Sequence, residues 1–255
     1  MTSKSLFAAA LTLSLAACVT KPTTQSGFIS DYTRLSDSAQ NGAATQRQFV
    51  DAAALAGVSR VAILPTQVRL GPNAAFTANE VAPIAAEMDR QLCLELAERF
   101  EIAPDDDPAA LQVSAAITGV TRTGAASSVV SAAASRFIPG PGSVRLPIGL
   151  GGLAAEMQAR NGAEGPVIGE LAWSRRAQMA MDRGSLSPIG DAHQAAEPFA
   201  DAVAKLLTPD PAPPVRKIAD QCPEAPGGVA GRFVAGRAFG LYIPPKVKPA
   251  PDPKP

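Results

Sequence analysis

The sequence predicts an α+β fold: a two-layer sandwich in which a mostly antiparallel sheet carries two main helices on one face, plus an Ala/Gly-rich insertion. Three observations predict it. Apolar and polar residues alternate over strand-length segments, two segments have helical periodicity, and 46% of the 255 residues are hydrophobic, which is enough to fill a core. The length fits one domain of roughly 150–200 residues with flanking segments.

Four segments are predicted to be strands of the sheet. Val61–Leu64 is a continuous apolar run, typical of a buried strand, and Pro65 ends it. Residues 100–103 form a short candidate strand. Residues 111–118 and 167–174 alternate between apolar and polar side chains, which indicates strands that are half-buried.

Two amphipathic segments are predicted to be the helices on that sheet. Asn79 is the expected cap of the first, and the second begins near Asp191, with Gln194 three residues later as in a capping box. The second ends at Thr208–Pro209, because the residue before a proline disfavours helical backbone. Their apolar stripes consist of Val81, Ile84, Ala85, Met88, Leu92 and Leu96 in the first helix and Ala195, Phe199, Val203 and Leu206 in the second.

The insertion, residues 124–153, is rich in apolar side chains, and its charged residues are two arginines. Apolar side chains left in water are costly, so they must be buried in the core, against a partner, against a second copy or at a bilayer surface. Positive charge favours an anionic lipid surface or an acidic groove, while an extra core layer is the alternative. The predicted partner or lipid contacts are Val129, Val130, Arg136, Phe137, Ile138, Arg145 and Leu146.

A glycine-rich stretch, Gly149–Ala154, ends the insertion, and we expect it to open a short helix through Arg160. A dinucleotide-binding fingerprint requires a strand immediately before its glycines, whereas Pro147 precedes these. We therefore interpret the stretch as a turn that allows close packing, and we expect no cofactor.

The first 17 residues have the organisation of a bacterial lipoprotein signal peptide. Lys4 supplies a positive charge, Leu6–Ala17 is an apolar run too short to span a bilayer, and Leu15–Cys18 matches the lipobox. In that chemistry Cys18 is acylated and holds the protein on a membrane. Val19 stands where an Asp favours inner-membrane retention, so we expect a lipid anchor in the outer membrane, with the protein on its periplasmic face.

The mature chain is expected to have three parts. Residues 18–26 form a lipidated tether, residues 27–208 the α+β domain, and residues 209–255 a Pro/Gly-rich tail. Cys93 and Cys222 are the remaining cysteines, and an oxidising compartment favours a disulfide that ties the tail to the first helix, with two free thiols as the alternative.

Gly27–Leu35, the sequence GFISDYTRL soon after the lipobox, resembles the opening of a bacterial lipoprotein family catalogued as domain of unknown function 3313. The resemblance continues to about Leu207. It includes a strand like Val61–Leu64, a helix like Ile84–Phe100, a strand like Leu111–Val120 and a final helix like Ala195–Leu207. It implies a lipoprotein of the cell envelope and no particular activity.

Residues that support metal or covalent chemistry are sparse. His193 is the single histidine and has no cysteine or carboxylate at metal-ligand spacing, so we expect it at the surface. Asp105–Asp107 lacks the alternate spacing of a calcium loop and indicates an acidic turn between strands. The sequence contains no Gly-x-Ser-x-Gly nucleophile elbow. We expect no metal.

These observations predict a non-catalytic binding or assembly module of the cell envelope rather than an enzyme. With 23 basic and 23 acidic residues, the chain offers no excess of positive charge for nucleic acid. The expected partners are the membrane, through Cys18, and an envelope protein or a second copy. Two alternatives stay open: an envelope-polymer hydrolase using a carboxylate pair such as Glu170 with Asp182, and a membrane-active, self-assembling lipoprotein using residues 124–153.

Overall fold

A computed structural model of the protein describes residues 25–38, 44–124, 149–178, 182, 184–185, 187–214, 222 and 241–242. It confirms the α+β class, with a mixed open sheet of eight strands and a few helices. The Ala/Gly-rich insertion lies mostly outside the described residues.

Ten strands, four α-helices and one 3-10 turn account for the regular structure of the described residues. The strands are β1 (Ser36–Asp37), β2 (Ala44–Val50), β3 (Arg60–Ile63), β4 (Gln67–Val68), β5 (Glu101–Ala103), β6 (Leu111–Thr121), β7 (Gly152–Asn161), β8 (Val167–Arg176), β9 (Gly184–Ser185) and β10 (Leu241–Tyr242). The helices are α1 (Ala52–Leu55), α2 (Ala78–Ala97), α3 (Gly190–Gln194) and α4 (Ala196–Leu207).

The main sheet has the order β1-β2-β8-β7-β6-β3-β5, and β4 also pairs with β6. The β1–β2, β2–β8, β8–β7 and β7–β6 pairs are antiparallel, whereas β3 is parallel to both β5 and β6. Strand β7 is therefore the central strand of the sheet. The short strands β9 and β10 form a separate parallel pair.

One face of the sheet packs against α2 and α4 and forms the main core. Strand alternation decides which side chains point there, so Val113, Ala115 and Ile117 of β6 are fully buried beneath the helices. A buried aromatic contact joins Trp173 of β8 to Phe199 of α4, with ring centroids 5.5 Å apart in an edge-to-face arrangement. We call the opposite side of the sheet the back face.

Both predicted helices exist, but their starts differ from the expected ones. Helix α2 is capped by Thr77 rather than Asn79, because Thr77 and Glu80 form a reciprocal capping box. The last helix is broken after Gln194, and the side chain of Asp191 does not cap it. Instead, the Asp191 carboxylate accepts a hydrogen bond of 2.8 Å from the Gly151 backbone amide.

The predicted short helix through Arg160 is wrong, because this segment is the central strand β7. Its buried side chains alternate, and Leu153, Ala155, Met157 and Ala159 face the helices. The expectation of close packing at the glycines holds. A Cβ at Gly151 would lie 2.6 Å from the Thr123 hydroxyl oxygen, and one at Gly152 would lie 2.6 Å from the Arg175 carbonyl oxygen.

None of the helices in the described part of the chain combines the length and the apolar character needed to cross a bilayer.

Candidate functional site

The N-terminal segment crosses the back face of the sheet, and we call residues 26–35 the strap. A single 3-10 turn, Tyr32–Arg34, shapes it, and the Asp31 carboxylate caps that turn by accepting from the Thr33 backbone amide at 2.9 Å. Hydrogen bonds from the Thr33 hydroxyl and amide lower the pKa of Asp31. Ile29 and Leu35 are buried against Ala172, so the strap is part of the folded domain.

The strap covers Glu156, a carboxylate at the middle of β7 that is only 1% exposed. One carboxylate oxygen accepts from the Ser26 hydroxyl at 2.6 Å and from the Tyr32 hydroxyl at 2.8 Å. The other accepts from the Ser26 backbone amide at 3.4 Å. The Tyr32 hydroxyl in turn accepts from the Ser26 and Gly27 amides, each at 3.1 Å. A buried carboxylate needs such partners, and the strap supplies them.

The strap also covers Glu170, a fully buried carboxylate on the neighbouring strand β8. One of its oxygens accepts from Arg34 Nε at 2.7 Å, and the other accepts from Gln158 Nε2 at 3.0 Å. The guanidinium of Arg34 also stacks on the Phe49 ring, 4.3 Å from its centroid. The hydrogen bond to Glu170 raises the pKa of Arg34, so its guanidinium stays charged.

The two carboxylates are diagonal neighbours on the back face. Glu156 lies opposite Ala172 and Gln158 lies opposite Glu170 in the β7–β8 register, so two residues separate the carboxylates along the sheet. The side-chain oxygen of Gln158 accepts a hydrogen bond from Arg160 Nη2 at 3.2 Å. Arg160 also donates to the Gly165 carbonyl oxygen at 2.8 Å. The strap therefore closes a buried polar network whose acidic oxygens all have hydrogen-bond donors.

The carboxylate pair named from the sequence, Glu170 with Asp182, does not form. Glu170 lies on the back face with Arg34, whereas Asp182 accepts two hydrogen bonds, at 2.9 and 3.0 Å, from Arg175 Nη2. Arg175 lines a cavity of about 450 Å³ on the helix side of the sheet, between β2 and α4. The cavity is lined mainly by polar side chains, among them Gln46 and Gln48.

His193 is buried, contrary to the expectation that it lies at the surface. It falls within α3, which packs against α2, and its charge acts on Glu87. Burial raises the pKa of Glu87, but hydrogen bonds from Arg90 and Gln91 oppose this. Together with the charge of His193, they bring the pKa below its usual value. Sequence spacing missed this cluster because its members lie on different helices.

Some of the remaining predicted site residues lie within the described part of the chain, and the others lie outside it. Cys93 and Cys222 form a disulfide with their Cα atoms 5.6 Å apart, the pairing that the sequence favoured. Residues 105–107 form a turn between β5 and β6, in which Asp107 pairs with Arg60 at 2.7 Å. Within the described ranges, His, Cys, Asp and Glu side chains do not cluster in a way that could hold a metal ion. Cys18 and the predicted contacts Val129, Val130, Arg136, Phe137, Ile138, Arg145 and Leu146 lie outside the described residues.

The fold and the site define a class of α+β domain in which an N-terminal strap seals two buried carboxylates on the second face of the sheet. The chain belongs to the family described as "Protein of unknown function (DUF3313)", which matches residues 24–203 and confirms the resemblance. This match begins two residues before the strap.

Among solved structures, the chain is similar to the PelC dodecamer from Paraburkholderia phytofirmans, with 15% identity and a TM-score of 0.39 over 64% of this chain and 96% of that one. A leucine-to-methionine variant of the same dodecamer gives 14% identity and a TM-score of 0.38, with the same shares covered. No curated protein sequence matches the chain significantly.

Proposed function

We propose that this protein is a non-catalytic lipoprotein of the bacterial envelope, anchored through Cys18 on the periplasmic side of the outer membrane. It acts there as a binding or assembly module for an envelope protein or a second copy. The observation that carries the proposal is the strap, whose first residue, Ser26, follows the lipobox cysteine by eight residues.

The strap suits a domain that is held by its N-terminus. Ser26 is bonded to Glu156 at the middle of the central strand, through both its hydroxyl and its amide. Farther along, Arg34 is bonded to Glu170 and Leu35 is buried. A lipid attached at Cys18 would therefore be connected to the centre of the sheet by a short segment, because Ser26 follows Cys18 by only eight residues.

Two features support the non-catalytic part of the proposal. Glycoside hydrolysis requires two carboxyl groups that face one substrate, whereas Glu170 and Asp182 lie on opposite faces of the sheet. The closer pair, Glu156 and Glu170, is sealed beneath the strap. The hydrolase alternative thus loses the pair that motivated it.

Replacing Cys18 tests the anchor. We expect the Cys18→Ser variant to stay unprocessed and to incorporate no radioactive palmitate in growing cells, because Cys18 is the only cysteine at a lipobox. Labelling followed by immunoprecipitation measures this. The Cys93→Ala/Cys222→Ala variant is the matched control and should be labelled like the wild type. Equal labelling of Cys18→Ser and the wild type would overturn the proposed anchor.

A further inference from the structure

We propose that the back face of the sheet is the membrane-facing surface of the domain and rests on anionic phospholipid. The inference depends on the proposed lipid anchor at Cys18 and adds an orientation to it. Its argument comes from the length of the tether, the position of Ser26 on the sheet and the side chains around that position.

The tether is short. Ser26 is the eighth residue after Cys18, and a fully extended chain of eight residues spans at most about 28 Å. The acylated end lies at the bilayer surface, so Ser26 lies within that distance of the lipid headgroups.

The strap begins at the centre of the back face rather than at its rim. Ser26 is bonded to Glu156, which is the fifth residue of the ten-residue strand β7, and three strands of the order β1-β2-β8-β7-β6-β3-β5 lie on either side of β7. If the helices faced the bilayer, the tether would first cross three strand spacings, about 14 Å, to leave the face. It would then pass the sheet and the helix layer, about 20 Å more. That path exceeds the reach of the tether, so the helix face cannot be the side that rests on the membrane.

The side chains around the tether suit an anionic interface. Phe28 is partly exposed, and the guanidinium of Arg69 lies 5.3 Å from its ring centroid. Arg160 is partly exposed and Arg176 is exposed on the same face. Among the described residues, neither Arg69 nor Arg160 has a carboxylate within ion-pair distance. Aromatic rings and arginines favour the headgroup region. Glu156 and Glu170 of this face are buried beneath the strap, and of its exposed acids Asp37 is paired with Arg47, which leaves Asp31 at the strap turn.

The orientation is measurable by energy transfer in vesicles. The full chain, purified with its native lipid, is placed in vesicles of phosphatidylethanolamine and phosphatidylglycerol that carry an acceptor dye on the headgroups. A donor dye is attached at Gln112→Cys, a half-buried position on β6 of the back face, or at Lys205→Cys, an exposed position on α4 that serves as the comparison. The disulfide occupies Cys93 and Cys222, so only the new cysteine reacts.

We expect the donor at position 112 to lie nearer the acceptor plane than the donor at position 205 by about 20 Å, the depth of the sheet and helix layers. Equal distances, or a nearer donor at position 205, would overturn the orientation and leave the anchor intact. Mass spectrometry of the same preparation reports the lipid on Cys18. Its absence would overturn the proposed anchor and, with it, this inference.

Discussion

Removing the disulfide is expected to lower the free energy of unfolding by about 4 kcal/mol, because a cross-link that closes a long loop restricts the unfolded chain. The loop here is long, since Cys93 and Cys222 are 129 residues apart. Chemical denaturation of the Cys93→Ala/Cys222→Ala variant, compared with the oxidised wild type, measures the loss. The same comparison should show a steeper dependence on denaturant, because the uncrosslinked chain exposes more surface on unfolding.

Reduced wild-type protein is the control for this variant. It keeps both sulfur atoms and should lose about as much stability as the double variant, since the loss comes from the bond and not from the side chains. A denaturation midpoint that stays unchanged in both samples would contradict the expected contribution of the disulfide.

Replacing Arg34 is expected to have the second large effect, a loss of about 3 kcal/mol in the Arg34→Met variant. Glu170 has no exposed surface, so removing the guanidinium leaves a buried carboxylate without its charged partner. Methionine has an apolar side chain of similar length, and it also removes the guanidinium contact with the Phe49 ring. By contrast, a surface pair such as Lys205 with Asp201 contributes about 1 kcal/mol or less.

Arg160→Met is the matched control for Arg34→Met. Arg160 is also a partly exposed arginine of the back face, but its partners are the Gly165 carbonyl and the Gln158 side-chain amide, which are neutral. Its removal should cost about 1 kcal/mol, measured by the same denaturation. Equal losses of unfolding free energy in the two variants would mean that the ion pair with Glu170 is not the reason that Arg34 stabilises the fold.

The strands and helices that the sequence predicts well are those whose two faces differ strongly in polarity. In β6, Val113 and Ile117 lie in the core while Gln112 and Ser114 face the other way, so the period of two is visible in the sequence. Helix α2 buries one stripe fully and leaves its other side chains half-buried or exposed, which gives an equally clear period.

Strands β2 and β7 were missed for opposite reasons. In β2, Gln46 and Gln48 face the polar cavity rather than an apolar core, so the strand has no apolar face to give a period. In β7, alanines occupy both faces, and Gly151 and Gly152 before or at its start suggested a turn. Packing against neighbouring strands, rather than local sequence, decided both elements.

The strapped site could be found only in part from the sequence. Ser26 and Tyr32 lie more than 120 residues from Glu156, and Arg34 lies 136 residues from Glu170, so local spacing does not bring them together. The one signal was the family resemblance at Gly27–Leu35. The tertiary structure shows why the strap contains these two hydroxyl groups and an arginine: the hydroxyl groups donate to Glu156, and the arginine donates to Glu170.

The measurement that tests the account most directly is a double-mutant cycle between the strap and the sheet. The free energy of unfolding is measured for the wild type, Arg34→Met, Glu170→Gln and the combined variant. If the strap is held to the back face by this buried pair, the coupling energy should be about 2 kcal/mol, and the combined variant should be more stable than the two single losses predict. Additive losses would contradict the account, because they would mean that Arg34 and Glu170 act independently and that the strap does not seal the carboxylates.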